Sequence, residues 1–441
     1  MSKAPGSVAS SDHSWMKLFA AVAALPLALA ACGGGGGGGS PTPPQSPPPS
    51  PAPAPGPAIT VTPSGTTTVQ GGPAITLVAA VTGSTDTPTW TLSGPGTLSA
   101  TSGTTITYTP PANGSITANT TVTIAAALTG ATTQTVTLTV TVTALAGQNW
   151  NNATTSPIGN LLGVDFANSR FVAVSDQGAA LASADGAAFT AVPLLTSNVS
   201  TDHFKAYSIG HLGSTMVAVG SISPTPYTTS SGASAWSTNG TTWTMGALPA
   251  GATPLHGVIA GTRLVGLGEG GHLYSSTDGK SWSALTTISG VGTLNAGAYG
   301  NNRYVAVGDK GYIAASGDSV AWLAGQVVVV GGSPINLHGI AWTGTMFVAV
   351  GDNGLITTSK DGSAWTTPAK SAVTGALRAV SASSGGEIVI VGDNGIETSE
   401  DGVHWTSRDP SGAAALNGVT FAGGKFVAVG ANSAIKTSSG S

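Results

Sequence analysis

The stretch that decides the fold begins Leu337-His338-Gly339-Ile340-Ala341-Trp342. It continues Met346-Phe347-Val348-Ala349-Val350-Gly351-Asp352-Asn353-Gly354, then Leu355-Ile356-Thr357-Thr358-Ser359-Lys360-Asp361-Gly362-Ser363-Ala364-Trp365. Short apolar runs separated by Asp-Asn-Gly and Asp-Gly are the pattern of brief strands joined by tight turns. Six relatives of this unit begin at Leu161, Phe204, Leu255, Leu294, Leu377 and Leu416, about 40 residues apart except for an enlarged second unit. Each unit reads as four strands, a to d. Strand b is the most regular, reading Phe-Val-Ala-Val from Phe171, Phe347 and Phe426. Four strands at this period are the signature of propeller blades. Residues 148–441 are therefore expected to form a seven-bladed β-propeller.

The turn between strands c and d repeats as Ser-x-Asp-Gly-x-x-Trp. It places Asp278 with Trp282, Asp361 with Trp365 and Asp401 with Trp405. Variants pair Asn239 with Trp243, Asp185 with Phe189, and Asp318, followed by Ser319, with Trp322. An Asp carboxylate can accept backbone N–H groups in such a turn, and Gly supplies the positive φ. The Trp ring then packs on the blade, so these residues are expected to be structural rather than catalytic. The seventh unit ends after strand c, while a spare Trp150 precedes Leu161 by the spacing that separates Trp405 from Leu416. The N-terminal strand should therefore supply strand d of the last blade and close the ring, leaving no exposed edge.

This turn resembles the Asp-box, or BNR, repeat of sialidase-like propellers and of photosystem II assembly-factor propellers, in a form one residue shorter. The resemblance covers nearly all of residues 148–441. It implies the fold, and as functions a sialidase-like glycan-active enzyme or an assembly factor for an envelope complex. Sialidase chemistry needs an arginine cluster for the substrate carboxylate. Here Arg170, Arg263 and Arg303 fall at the same a–b turn of different blades, where they cannot converge. No nucleophile elbow, phosphate loop or zinc motif occurs either, so no catalytic residue, cofactor or metal site is expected.

The rest of the chain reads as delivery and spacing. Residues 1–31 carry Lys3, Lys17 and an apolar run from Leu18 to Ala31, too short for the ~20 residues of a spanning helix. They end at Leu29-Ala30-Ala31-Cys32, which resembles a bacterial lipobox, with Cys32 as the lipidated first residue of the mature protein. Cys32 is the chain's single cysteine. The resemblance implies an exported lipoprotein held in the membrane through Cys32, with Gly33 after it suggesting the outer membrane. Residues 32–57 form a Gly- and Pro-rich tether, flexible and then extended. Residues 58–144 alternate Val, Ile or Leu with Thr, as in Thr121-Val122-Thr123-Ile124, the period of half-buried strands. Around Trp90, Tyr108 and Pro110-Pro111 this segment resembles a bacterial immunoglobulin-like β-sandwich. The expected fold is thus all-β, a small sandwich followed by a propeller.

Composition narrows the partners. The 441 residues include 14 basic and 18 acidic, or 7% charged, against about 25% in an ordinary domain. Five arginines and a net charge of −4 exclude a phosphate-binding nucleic-acid protein. The few charges are sorted. The b–c turns carry Asp176, Glu269, Asp309, Asp352 and Asp393. The second position of strand a carries Lys205, His256, Asn295, His338, Arg378 and Asn417, and only Leu162 breaks that series. Both sets should share the face of the channel mouth, because strand a is innermost. A long b–c loop containing Tyr227 enlarges the same face. Gly-Asp-x-Gly is also good turn chemistry without a ligand, and a wet channel accepts polar linings. His256 and His338 lie two blades apart, too far for a shared metal. The expectation is a monomeric, non-enzymatic scaffold that binds an envelope protein or a glycan at this mouth.

Overall fold

The computed structural model describes residues 56–441 except 64–65, 113–114, 117–118, 129–133, 144–145, 195–201, 225–229, 324, 372–373, 409–413 and 439–441. The leader, Cys32, nearly all of the tether and Tyr227 lie outside the described residues. Among the described residues there is no α-helix; strands and four single-turn 3-10 segments carry the chain.

Residues 58–143 form two four-stranded sheets. One orders Ala58–Thr62, Ile75–Thr82, Thr105–Thr109 and Thr97–Leu98; the other orders Thr66–Val69, Gln134–Thr143, Thr120–Leu128 and Thr89–Ser93. The alternation read from the sequence sends one side of each sheet inward. Leu77, Ile106 and Tyr108 from the first sheet meet Trp90, Val122, Ile124 and Val140 from the second in one core. Trp90 is 2% exposed and its Nε1–H donates to the Gly103 carbonyl at 2.8 Å, so burial of the ring leaves no orphaned donor.

Seven sheets of three or four strands follow among the described residues. Their first strands are Leu161–Ala167, Asp202–Leu212, Leu255–Ala260, Leu294–Gly300, Leu337–Trp342, Leu377–Ala382 and Leu416–Ala422. Each of these touches the next, and the last touches the first, so the seven innermost strands close a ring. Strand b, next outward, is buried on both sides: Phe347, Val348, Ala349 and Val350 are all 0% exposed. That is why strand b reads as a continuous apolar run rather than an alternating one. Each core between sheets is shared by neighbours. Val348, Val350 and Ile356 pack with Leu377, Val380 and Ile390, and Val427, Val429 and Ile435 pack with Leu161 and Phe171 across the point of closure.

The last sheet is completed from the N-terminal side. Trp150–Asn152 pairs antiparallel with Ile435–Ser438, in the register Ser438 with Trp150 and Lys436 with Asn152. Trp150 lies against Phe426 with ring centroids 6.4 Å apart, and its Nε1–H donates to the Gly147 carbonyl at 2.7 Å.

Two details depart from the repeat as read. The fourth sheet has three strands rather than four. After Trp322 the chain follows strand c through isolated bridges, Ala315 with Leu323 and Tyr312 with Val327, and the Ile313 N–H donates to the Gln326 carbonyl at 3.0 Å, without forming a regular fourth strand; Gly325 passes so close to the Ile313 carbonyl that no Cβ would fit. The second unit is also offset. Every strand a contains one bulged residue, and in the second sheet the pairing shifts between Ala206 and Ser208. Ala206, not Phe204, is therefore the structural counterpart of Leu161, and Tyr207, not Lys205, stands at the second position.

Candidate functional site

The two ends of the blades are built differently. At one end lie the Ser-x-Asp-Gly turns. In each, one carboxylate or amide oxygen accepts two successive backbone N–H groups. Asp278 Oδ1 takes those of Lys280 and Ser281 at 2.8 and 3.0 Å, and Asp361 Oδ1 those of Ser363 and Ala364 at 2.8 and 2.9 Å. Asp185, Asp318 and Asp401 repeat this, and Asn239 does so with its amide oxygen. These hydrogen bonds hold the carboxyls of Asp185, Asp278, Asp318 and Asp361 below the usual carboxylate range. Asp401 falls furthest, because His404 Nδ1 also bonds its second oxygen at 2.7 Å. The glycine of the turn at Asp361 has φ +72°, and a Cβ on this Gly362 would sit 2.7 Å from Val305 Cγ2 of the preceding sheet. Trp243 and Trp282 are buried against their blades, whereas Trp322, Trp365 and Trp405 are half-buried. The acids are committed to the turns, as a structural device requires.

At the other end, each bulge presents one side chain from strand a. The ring of bulged positions is Leu162, Tyr207, His256, Asn295, His338, Arg378 and Asn417, and all seven are half-buried. The following residue is small throughout: Gly163, Ser208, Gly257, Ala296, Gly339, Ala379 and Gly418. The next strand a passes close there; a Cβ on Gly339 would lie 2.9 Å from Ala379 Cα. A bulge re-aims a side chain without breaking the sheet.

The structure brings the acids of the b–c turns onto this ring, sheet by sheet. His256 Nε2 lies 3.1 Å from Glu269 Oε1, and His338 Nε2 lies 2.7 Å from Asp352 Oδ1. Asn295 Nδ2 donates to Asp309 Oδ1 at 3.1 Å, and Arg378 Nε donates to Asp393 Oδ1 at 2.7 Å. The second oxygen of the three aspartates braces the loop that enters strand a. Asp309 Oδ2 accepts the Thr293 N–H and Asp393 Oδ2 the Ala376 N–H, both at 3.1 Å; Asp352 Oδ2 accepts Asn336 Nδ2 at 3.0 Å. Asp176 braces Asn160 in the same way. Asn295 and Asn417 also reach the neighbouring strand, donating to the Leu337 and Leu161 carbonyls at 2.9 and 2.8 Å. The acids and the two asparagines thus hold the rim together. Lys205 stays exposed beside the ring, with Nζ 5.2 Å from the Tyr207 centroid and no acidic partner among the described residues.

Sequence reasoning missed three features. Tyr207 stacks on His256 with centroids 4.5 Å apart and planes within 18°, and so makes an aromatic step on the rim. The offset bulge hid it, since Phe204 imitates the start of a repeat. Asp165 Oδ2 lies 2.7 Å from His211 Nδ1 on the adjoining first strands, and this hydrogen bond, with the charge behind it, raises the His211 pKa against the opposing effect of burial. Glu387 is 2% exposed at the start of strand b in the sixth sheet. Gln148 Nε2 donates to its Oε1 at 2.8 Å and its Oε2 has no hydrogen-bond partner. Burial pushes this carboxyl up to about 7, partly offset by Arg408. The signal lay in the column of repeats: Arg170, Arg263, Arg303 and Lys425 occupy the same position in other sheets, and only here is it acidic. Among the described residues no group of three His, Cys, Asp or Glu is placed to hold a metal.

No protein-family profile matches the chain, and no curated protein does. Solved structures do. The structure titled YCF48 bound to D1 peptide superposes with a TM-score of 0.53 at 15% identity, covering 66% of this chain and 95% of its own. YCF48 from Cyanidioschyzon merolae gives 0.51 at 15% identity, covering 66% and 98%. A catalytically inactive variant of virginiamycin B lyase from Staphylococcus aureus, solved with quinupristin, gives 0.54 at 11% identity, covering 66% and 99%. These likenesses concern architecture alone, and with the ring of sheets they show that the chain contains a β-propeller.

Proposed function

We propose that this protein is a non-enzymatic envelope lipoprotein that displays a seven-bladed propeller as a binding scaffold. In this reading Cys32 carries the lipid that anchors the chain to the outer membrane. Residues 33–57 and an immunoglobulin-like sandwich then hold the propeller away from the bilayer, and the propeller acts as a monomer. Its partner, an envelope protein or a glycan, is taken at the mouth.

One observation carries the reading. Seven bulges with the same backbone present seven half-buried positions carrying Leu, Tyr, His, Asn, His, Arg and Asn. A fold that only needed a closed channel would gain nothing from such variety, whereas a recognition surface requires it. The stacked Tyr207 and His256, with exposed Lys205 beside them, form its most adhesive sector. A protein segment is the favoured partner within this reading, since YCF48, of like architecture, is solved with a peptide bound.

The test is affinity capture from envelope extracts with the purified propeller. The expected result is one envelope component recovered by the wild type and reduced at least tenfold by Tyr207→Ala combined with His338→Ala. Equal recovery by both would remove the mouth as the site. Globomycin-sensitive processing that Cys32→Ser abolishes would support the anchor; normal release and processing of Cys32→Ser would sink it.

A further inference from the structure

The seven sheets repeat closely enough that a departure in one of them is informative. On the Asp-turn side of the fifth sheet lies a niche lined by Met346, Lys360, Ala364 and Thr366. The same niche in the sixth sheet is a cavity of about 300 Å³ lined by Glu387, Thr398, Glu400, His404, Thr406 and Arg408. Position for position, Met346 has become Glu387, Lys360 has become Glu400 and Ala364 has become His404. Pro368 has become Arg408. A niche with one acid and one base has become one with three acids, a guanidinium and an imidazole around the same Asp turn.

The charges in the cavity are unevenly engaged. Asp401, also on its wall, is saturated by two backbone N–H groups, Ser399 and His404. Arg408 Nε donates to Thr398 Oγ1 at 2.9 Å, and the guanidinium acts electrostatically on both Glu387 and Glu400. Glu387 is the anomaly. It is only 2% exposed, it lines the cavity, and its Oε2 lacks the donor that a buried carboxyl oxygen needs.

We propose that this cavity is a binding site for a neutral sugar ring, with the Glu387 carboxyl turning its buried Oε2 toward the ligand to accept from one hydroxyl while an adjacent hydroxyl accepts from Arg408. A hydroxyl both donates and accepts through a single oxygen, so two neighbouring hydroxyls can serve the carboxyl and the guanidinium at once. The lining offers a carboxyl acceptor, a guanidinium donor, two threonine hydroxyls and an imidazole, the mixture that a vicinal diol satisfies. An anionic ligand meets Glu387, Glu400 and Asp401, and a cationic one meets Arg408, so neutrality is favoured. The volume, about 300 Å³, stands at the low end of the usual range for small-ligand pockets. The site lies at the Asp-turn end and does not depend on the reading of the mouth.

The experiment is NMR on the isotopically labelled propeller with its sandwich, titrated with glucose, galactose, N-acetylglucosamine and their β-linked disaccharides. The expected result is a saturable shift of the Ser399–Val403 amides with at least one probe, while the Ser359–Ser363 amides of the fifth sheet stay fixed. Glu387→Gln and Arg408→Met should each weaken that binding at least tenfold, with unchanged spectra elsewhere as the check on folding. Should either variant fail to fold, the wild-type shifts decide alone. No shift with any probe overturns the site, as does a shift confined to residues around Tyr207 and His338. The latter outcome would place the sugar at the mouth and leave the scaffold reading intact. Glucosamine and glucuronate are titrated in parallel as charged controls, and stronger shifts with either than with glucose would overturn the neutral-ligand assignment.

Discussion

The two ends of the blades obey opposite rules. At the Asp-turn end the side chains repeat and so do their bonds: one oxygen, two backbone N–H groups, a glycine at positive φ, an aromatic ring behind. At the mouth the backbone repeats, through seven bulges, while the side chain changes from sheet to sheet. Repetition of side chains marks what the fold needs, and repetition of backbone under varied side chains is the feature on which the proposed binding role rests. The sixth sheet breaks the first rule at Glu387, which is why its niche stands out.

The largest test of this comparison is a pH profile. Glu387 has its folded pKa raised from 4.5 to about 7, so the folded state holds the proton more tightly than the unfolded chain. Its contribution is fully present below pH about 4.5 and is lost as pH rises to about 7, a span worth about 3 kcal/mol by proton linkage. The groups acting on it are Gln148, Arg408 and Glu400. Urea titrations should show stability falling over that window, and Glu387→Gln should flatten the fall. A wild-type profile that is level across this window would refute the assignment. The Asp-turn carboxyls pull the other way: their pKa values are depressed, so their contribution is lost as pH drops below about 4.

Next in size is Gly362→Ala. The residue has φ +72° and a Cβ would press on Val305 at 2.7 Å, so a loss of about 2 kcal/mol is expected in thermal or urea unfolding. Asp361→Ala removes the acceptor for two N–H groups in an exposed turn, comparable to loss of a helix cap, and should cost about 1 kcal/mol. Ser319 supplies a stabilising counterpart. It occupies the glycine position of the fourth turn at φ +69°, fully buried, with its Oγ unpartnered. Ser319→Gly should stabilise by about 1 kcal/mol, and a loss instead would mean the hydroxyl has a use. Smallest should be His338→Ala at the mouth, about 0.5 kcal/mol, since it removes one half-exposed bond to Asp352 and no core contact. A drop as large as that of Gly362→Ala would erase the distinction between the two ends.

The period, the Asp turns and the completing strand at Trp150 were legible in the sequence because each depends on local chemistry: alternation, turn residues, constant spacing. Register was less so. A strand of 11 residues from Asp202 offers two apolar starts, Phe204 and Ala206, and only pairing with Thr215–Pro224 decides between them. The irregular pairing that replaces a fourth strand in the fourth sheet, with Gly325 too near Ile313 for any Cβ, involves distances no pattern of residue types encodes. The pairing of His338 with Asp352 could be inferred as shared location but not as contact. Glu387 shows the reverse lesson, since a single acid in a column of four bases, a threonine and a methionine was visible all along and acquired meaning only once it was seen to be buried.

The strand Trp150–Asn152 finds its partner Ile435–Ser438 at the far end of the chain. On the ribosome this sets a schedule. The sandwich and each successive sheet can form as they emerge, but the ring stays open until the segment around Ser438 has been made. During that interval the segment at Trp150 must wait unpaired, with Phe426 not yet available to cover it. The ring is therefore latched last by its earliest strand, a three-residue ladder backed by the Gln148 bond to Glu387.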